Sequence, residues 1–281
     1  MTPLPTILTG LREIAGDYDA LVCDVWGVVH DGERPHPGAV EALRRFRTDH
    51  GRVVLLSNAP RPAAAVERQL TAIGVPAACY DAVVTSGAAA REDIARRAAN
   101  GPLAMMHLGP DRDSALYEGL NVALVGPDKA SVVLLTGLYD DETETPEHYR
   151  EILAELKSRG LTLICANPDL IVPRGGRLVH CAGGLARAYE AIGGDVVYYG
   201  KPHPAIFKAA LAAAGSPSRP LVVGDGLETD IRGANRLGAD ALFVVHGVHA
   251  EELGALTADN LAALFAKKCV TARAAMGALA W

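Results

Sequence analysis

The chain has 281 residues (29.4 kDa), 49% of them apolar, with 27 Lys and Arg against 33 Asp and Glu, a net charge of −6 and a sequence pI of 5.8. The apolar share supports one large domain or two ordinary ones at roughly 150 residues each, which excludes a mainly disordered chain, and the slight acidity offers no basic face to hold DNA or RNA. Cys23, Cys79, Cys165, Cys181 and Cys269 form no C-x-x-C pair, which argues against a zinc ribbon, a thioredoxin motif or a disulfide framework and fits a reducing cytoplasm.

The opening Met1-Thr-Pro-Leu-Pro-Thr6 has neither the basic nor the long apolar stretch of a signal peptide. No run approaches the roughly 20 apolar residues that cross a bilayer. The expectation is a soluble, cytoplasmic protein without membrane contact. Along the chain, short β-branched runs alternate with alanine-rich stretches of helical spacing, the pattern of an α/β protein with a parallel sheet. The predicted order starts with a strand over Ala20 to Cys23, a helix over Pro37 to Thr48, a strand over Val53 to Leu56 and a helix over Pro62 to Ile73. Strand Ala82 to Val84, helix Ala88 to Ala99, strands Leu103 to Met106 and Ser131 to Leu135, helix Pro146 to Ser158 and strand Thr162 to Cys165 follow. The chain then gives helix Gly184 to Ile192, strand Val196 to Tyr199, helix Pro204 to Ala214, strand Leu221 to Val223, helix Thr229 to Leu237, strand Ala241 to Val245 and helix Thr257 to Lys267. Gly74, Gly160, Gly193, Gly215 and Gly238 close several of the helices. The acidic stretch Asp140 to Glu147 precedes a helix, whose positive end its carboxylates would favour. The segment from Lys267 to Trp281 carries no motif.

In an open parallel sheet, ligands bind beyond the carboxyl ends of the strands. Four apolar runs there are followed by Asp24-Val-Trp26-Gly27, Ser57-Asn58-Ala-Pro-Arg61, Lys201-Pro-His-Pro and Asp225-Gly-Leu-Glu-Thr-Asp230. A lone Asp after a strand is ordinarily a turn or a helix cap, and a lone Lys before Pro is ordinarily solvated. Four such residues in this order point to phosphoryl transfer. Asp24 can attack phosphorus to form an aspartyl-phosphate. Mg²⁺ held by Asp24 and Asp225 would offset the repulsion between two anions. Ser57, with the N–H groups leading into the next helix, and Lys201 would receive the phosphate oxygens. A P-loop reading of Gly194 to Lys201 fails on spacing. Gly224-Asp-Gly226 is only a fragment of a dinucleotide fingerprint, and neither a G-x-S-x-G elbow nor an H-E-x-x-H helix is present.

On these residues the chain resembles the haloacid-dehalogenase (HAD) superfamily, and within it the class IIA, NagD-like or nitrophenylphosphatase-like hydrolases. Its four motifs match Asp24-Val-Trp-Gly-Val, Leu56-Ser57-Asn58, Gly200-Lys201-Pro-His-Pro and Gly224-Asp225 through Asp230, and Asn167-Pro168-Asp169 followed by Gly183-Gly-Leu-Ala suggests the class IIA cap. The resemblance implies a Rossmann-like parallel sheet core (HAD fold) formed by residues 1–99 and 195–281, with an inserted α/β cap domain over 100–194. It implies Asp24 as nucleophile and metal ligand, the backbone carbonyl of Trp26 and Asp225 as further Mg²⁺ ligands, and Asp230 behind them. Ser57, Asn58 and Lys201 would bind phosphate, and Asn167 and Asp169 would form a substrate-facing loop, with Arg174, Arg177 and His180 nearby.

The family's usual first motif is Asp-x-Asp-Gly, and tryptophan at position 26 supplies no general acid or base. His30 or Asp31 taking over that work, a substrate with a good leaving group, or a site that only binds are the alternatives. The expected activity is a phosphatase for a small phosphorylated metabolite such as a sugar phosphate or nucleotide, slow or restricted to good leaving groups. The alternative is a catalytically impaired phosphometabolite-binding or regulatory protein. Cap surfaces offer a route to a homodimer.

Overall fold

The computed structural model describes residues 5–174, 177–245 and 249–281. The first four residues, on which the amino-terminal expectation rests, lie outside the described residues. In chain order the elements are β1 (Thr6–Ile7), β2 (Ala20–Asp24), α1 (Pro37–Asp49), β3 (Arg52–Ser57), α2 (Ala63–Ala72), β4 (Ala82–Thr85) and α3 (Ser86–Arg97). They continue with β5 (Leu103–Leu108), β6 (Val122–Leu124), β7 (Val132–Leu135), α4 (Arg150–Ser158), β8 (Leu163–Cys165), β9 (Ile171–Arg174), β10 (Arg177–His180) and α5 (Ala182–Ala191). The remainder comprises β11 (Val196–Tyr198), α6 (Pro204–Ala213), β12 (Pro220–Gly224), α7 (Arg232–Leu237), β13 (Asp240–Val244), α8 (Ala250–Leu253), α9 (Ala258–Lys268) and β14 (Ala274–Met276).

Two parallel sheets organise the chain. The first has the order β1-β14-β13-β12-β2-β3-β4, the second β11-β8-β7-β5-β6, and β9 and β10 form a separate antiparallel hairpin. Strands of the first sheet are covered on both faces, which is why they read as continuous apolar runs. Leu21 and Cys23 of β2 enter one core with Phe46 of α1, while Ala20 and Val22 enter another with Phe207 of α6. The second sheet repeats this: Val133 and Leu135 face α4 and α5, and Val132 and Leu134 face the opposite side. Helix α3 also packs there, through Ala90 and Ile94.

Helix starts follow the expected chemistry. Proline occupies the first turn of α1 and α6, and Thr85 Oγ1 caps α3 by accepting from Ala88 N–H at 3.0 Å. All five helix-closing glycines have positive φ. Two helices begin differently from the reading of the sequence. Pro146–Tyr149 is a 3₁₀ turn ahead of α4, and Leu227–Ile231 is a π turn ahead of α7. The acidic stretch before α4 is mostly a self-contained turn. Asp140 accepts from Glu142 N–H and the Thr143 hydroxyl, and Glu144 accepts from Asp140 N–H, so Glu147 is the carboxylate left in the first helical turn. The unassigned tail supplies β14, seated between β13 and β1. No helix among the described residues is long and apolar enough to cross a membrane, and the five cysteines are free thiols.

Candidate active site

The order of the first sheet reverses at β2. From it the chain moves through β3 and β4 on one side, and later through β12, β13 and β14 on the other. Such a switch point opens a crevice beyond the carboxyl ends of the two central strands. The register aligns Cys23 of β2 with Val223 of β12 and with Leu55 of β3. Asp24 closes β2, Ser57 closes β3, and Asp225 directly follows β12.

Lys201 joins these ends. Its ammonium donates to Asp24 Oδ1 at 2.6 Å and to Asp230 Oδ1 at 2.8 Å, with the lysine 3% exposed. Its backbone is held as well: Lys201 N–H donates to Asn58 Oδ1 at 2.7 Å, and Asn58 Nδ2 donates to Lys201 O at 3.3 Å and to Asp169 Oδ1 at 2.8 Å. The Lys201–Pro202 peptide is cis. Ser57 Oγ accepts from Ala59 N–H at 3.2 Å and keeps its own proton for another acceptor.

Three carboxylates, Asp24, Asp225 and Asp230, bring one oxygen each within 4.8 Å of one another, and all are buried. Burial pushes the Asp24 carboxyl up against the pull of Lys201. Burial, then the neighbouring Asp24 and Asp230 charges and a hydrogen bond to Asp24, push Asp225 well up. Burial also raises Asp230, to about 6. Desolvation pulls Lys201 down, but the Asp230, Asp24 and Asp169 charges together outweigh it and push Lys201 up. Three carboxylates around one ammonium leave a buried negative surplus that a divalent cation would neutralise, and hard carboxylate oxygens suit Mg²⁺. The residues therefore fit the ion. Asp230 already has protein donors at both oxygens, Lys201 on Oδ1 and Gly226 N–H and the Thr229 hydroxyl on Oδ2, which leaves Asp24 and Asp225 to face it. Gly27 makes room, since at φ +86° a Cβ there would lie 2.5 Å from Asp225 Oδ2.

A cleft of about 460 Å³ lies over this rim, walled by both sheets. The first sheet gives Trp26, His30, Ser57, Asn58 and Arg61, and the second body gives Asp113, Thr136, Asn167, Asp169 and His180. Asp169 is half-buried with its carboxylate bonded to Asn58, and its N–H donates to Asn167 Oδ1 at 3.1 Å. A carboxylate repels phosphate, so in this arrangement Asp169 acts on Asn58. His180 lines the cleft; the side chains of Arg174 and Arg177 lie outside the described residues.

The two substitute acid–base groups separate. His30 is buried, its Nδ1 accepts from Gly32 N–H at 2.9 Å, and desolvation lowers its pKa to about 4, so it is neutral near pH 7. Its ring meets Trp26 edge to face at 5.1 Å. Asp31 is exposed and accepts from Glu33 and Arg34 N–H within its own turn. The structure thus does not bring Asp31 to the cleft.

Asp113 and Thr136 were not among the expected site residues. The signal for Asp113 is the one that found Asp24, a carboxylate just past the carboxyl end of a parallel strand, here β5.

The family model for haloacid dehalogenase-like hydrolases matches residues 18–238. A solved haloacid dehalogenase-like hydrolase from Brucella suis 1330 superposes with a TM-score of 0.86 at 44% identity, covering 97% of this chain and 100% of that one. The D-glycerol 3-phosphate phosphatase of Mycobacterium tuberculosis is 30% identical over 85% of this chain, which spans just under two thirds (66%) of that protein. The solved magnesium complex of glycerol phosphate phosphatase from Mycobacterium tuberculosis aligns at TM-score 0.64 and 28% identity, covering 87% of this chain and 73% of that chain. The ribonucleotide monophosphatase NagD of Escherichia coli K12 is 28% identical over 81% of this chain and 88% of its own.

Proposed function

The chain belongs to the haloacid dehalogenase-like hydrolases, and on that premise we propose that it is a Mg²⁺-dependent phosphatase of the class IIA, NagD-like type acting on a small phosphorylated metabolite. The observation that carries this reading is the buried Asp24–Lys201–Asp230 chain beside Asp225 at the switch point. Asp24 attacks phosphorus, the ester oxygen leaves with the substrate's alcohol, and water then hydrolyses the aspartyl-phosphate to release phosphate. Lys201 favours the ionised form of Asp24 against its burial and meets the phosphate oxygens, Ser57 donates its hydroxyl to them, and Asn58 fixes the backbone of Lys201. Asp24, Asp225 and the Trp26 carbonyl are the residues that would hold Mg²⁺, and Asp230 anchors Lys201. The ion, when bound, supplies charge neutralisation between nucleophile and phosphate.

The middle segment, residues 100–194, together with α3 and with β11, the edge strand of its sheet just past the expected boundary, acts as the cap, and a cleft of about 460 Å³ suits a metabolite better than a phosphoprotein. Glycerol phosphate and ribonucleotide monophosphates, the compounds in the relatives' names, are the first substrates to try. Trp26 favours one second reading, a protein that binds phosphate esters and turns them over little, because neither the indole nor a neutral His30 can protonate a poor leaving group.

The test is phosphate release from a panel of esters with and without Mg²⁺. Asp24→Asn should lower kcat by at least about 10³-fold. Activity that survives the substitution rules out the aspartyl-phosphate route, and ester binding without release supports the second reading.

A further inference from the structure

The cleft has a second polar corner that the reaction above does not use. Asp113, in the 3₁₀ turn after β5, lines the cleft and is 3% exposed, yet its Oδ1 has no hydrogen-bond partner. Arg61, on the loop after β3, faces that oxygen with Nε at 3.9 Å, beyond hydrogen-bond distance. Buried acceptors are seldom left without a donor, and those that are call for an explanation. A ligand that completes the pair is one.

The corner also defines what would fit. Arg61 and Arg112 are balanced by Asp113 and Asp141, with Arg112 paired to Asp141 and the Thr136 hydroxyl beside Asp113. No net charge is left to be neutralised. The group that spans Asp113 and Arg61 must donate to a carboxylate and accept from a guanidinium, which an ammonium or a carboxylate cannot both do. A neutral hydroxyl can. Room for it comes from Arg61, whose side chain is 37% exposed and whose Nη1 holds Gln69 Oε1 only at 3.4 Å. The same cleft reaches Ser57 and Asn58, so one small molecule can place a phosphate there and a hydroxyl at Asp113.

We infer that Asp113 and Arg61 form a subsite for a hydroxyl on the alcohol portion of the substrate, donating to Asp113 Oδ1 and accepting from Arg61. This rests on reading the cleft as a phosphate-ester site. Substrates are then polyol or sugar phosphates in preference to plain alkyl or aryl phosphates.

The experiment is calorimetric binding to the full chain with Mg²⁺ at pH 7.5. The probes are ω-hydroxyalkylphosphonates of two to five carbons, each paired with the alkylphosphonate of equal length. The wild type should favour the hydroxylated member at one length or more by about tenfold. Asp113→Leu should bring that pair within about twofold while moving the alkyl compound by less than about threefold. Should Asp113→Leu fold poorly, Arg61→Gln reads the same loss. No preference at any length, or a preference that persists in the folded variants, overturns the subsite. Phosphate release from the matching esters keeps the two readings apart. A hydroxyl preference without release retires the phosphatase and leaves the subsite, whereas release at equal kcat/KM for both members, unchanged in the variants, does the reverse.

Discussion

At position 26 an indole lines the cleft, and its neighbours are fitted to it. Gly32, at φ +100°, would drive a Cβ to within 2.7 Å of the ring, and His30 packs on it edge to face. With no acid beside the departing oxygen, turnover should depend steeply on leaving-group pKa. Trp26→Asp is expected to raise kcat on alkyl phosphates by about 10- to 100-fold and on nitrophenyl phosphate much less. Steady-state kinetics over a leaving-group series checks this, and an unchanged slope goes against it. Asp113 supports a second prediction, for stability. Burial pushes its carboxyl up to about 6 against the pull of Arg61, the Thr136 hydroxyl and Arg112, with Asp141 adding to the push. Below about pH 4 the group is protonated in folded and unfolded chains alike and costs nothing. Between that pH and about 6 only the unfolded chain gives up the proton, so stability falls as pH rises. Asp113→Asn should therefore match the wild type near pH 4 and exceed it above pH 6, by up to ~3 kcal/mol. Denaturant unfolding at the two pH values measures it; an equal difference at both would contradict the assigned cause. A carboxylate that weakens the fold is readily kept where it serves a ligand.

Among the elements, the turn from β2 into Gly27 sets the position of Asp225. Gly27→Ala meets both a left-handed φ and a clash with Asp225 Oδ2, whereas Gly74, at φ +93°, has open space around it. Both substitutions should cost about 1–2 kcal/mol of backbone strain, but only Gly27→Ala should weaken Mg²⁺ binding, by about tenfold or more. Metal titration of the two variants side by side tests this, and equal affinities would remove the role given to Gly27. The long buried strands and the helices with proline starts and glycine ends were legible in the sequence because each carries a periodic pattern and a local stop. Asp24, Ser57 and Asp225 were legible because parallel strands of one sheet end on one rim, whereas Lys201 follows β11 of the second sheet and reaches that rim through Asn58 and Asp24. Other elements depend on distant partners. β14 has three residues and exists by pairing with β13 and β1 at once, and the π turn at Leu227–Ile231 carries the Asp230 that Lys201 draws inward. Asn167 and Asp169, expected near the site from the resemblance, line the cleft. That Asp169 meets Asn58 across 111 residues belongs to the packing of one body on the other.

Over the whole molecule, two separately cored sheets share one cleft and are stitched across it. Asn58 bonds Asp169, and Gly87 N–H at the start of α3 donates to Ala59 O at 3.2 Å. Motion of the second body must break or carry these links, so the cleft and its wall move together. The chain contains two tryptophans, and they are placed very differently. Trp281 packs near His50 at 5.7 Å between ring centroids, outside the cleft lining, while Trp26 lines the cleft. Trp26 thus gives the molecule an optical probe in the wall of its cleft. In Trp281→Phe the emission comes from the cleft alone, and inorganic phosphate with Mg²⁺ should shift or quench it with the same midpoint that calorimetry reports. A silent Trp26 under saturating phosphate would mean that the ligand and the indole do not share the cleft. A signal opens pre-steady-state work on any substrate, coloured or not, through light absorbed by the cleft's own indole.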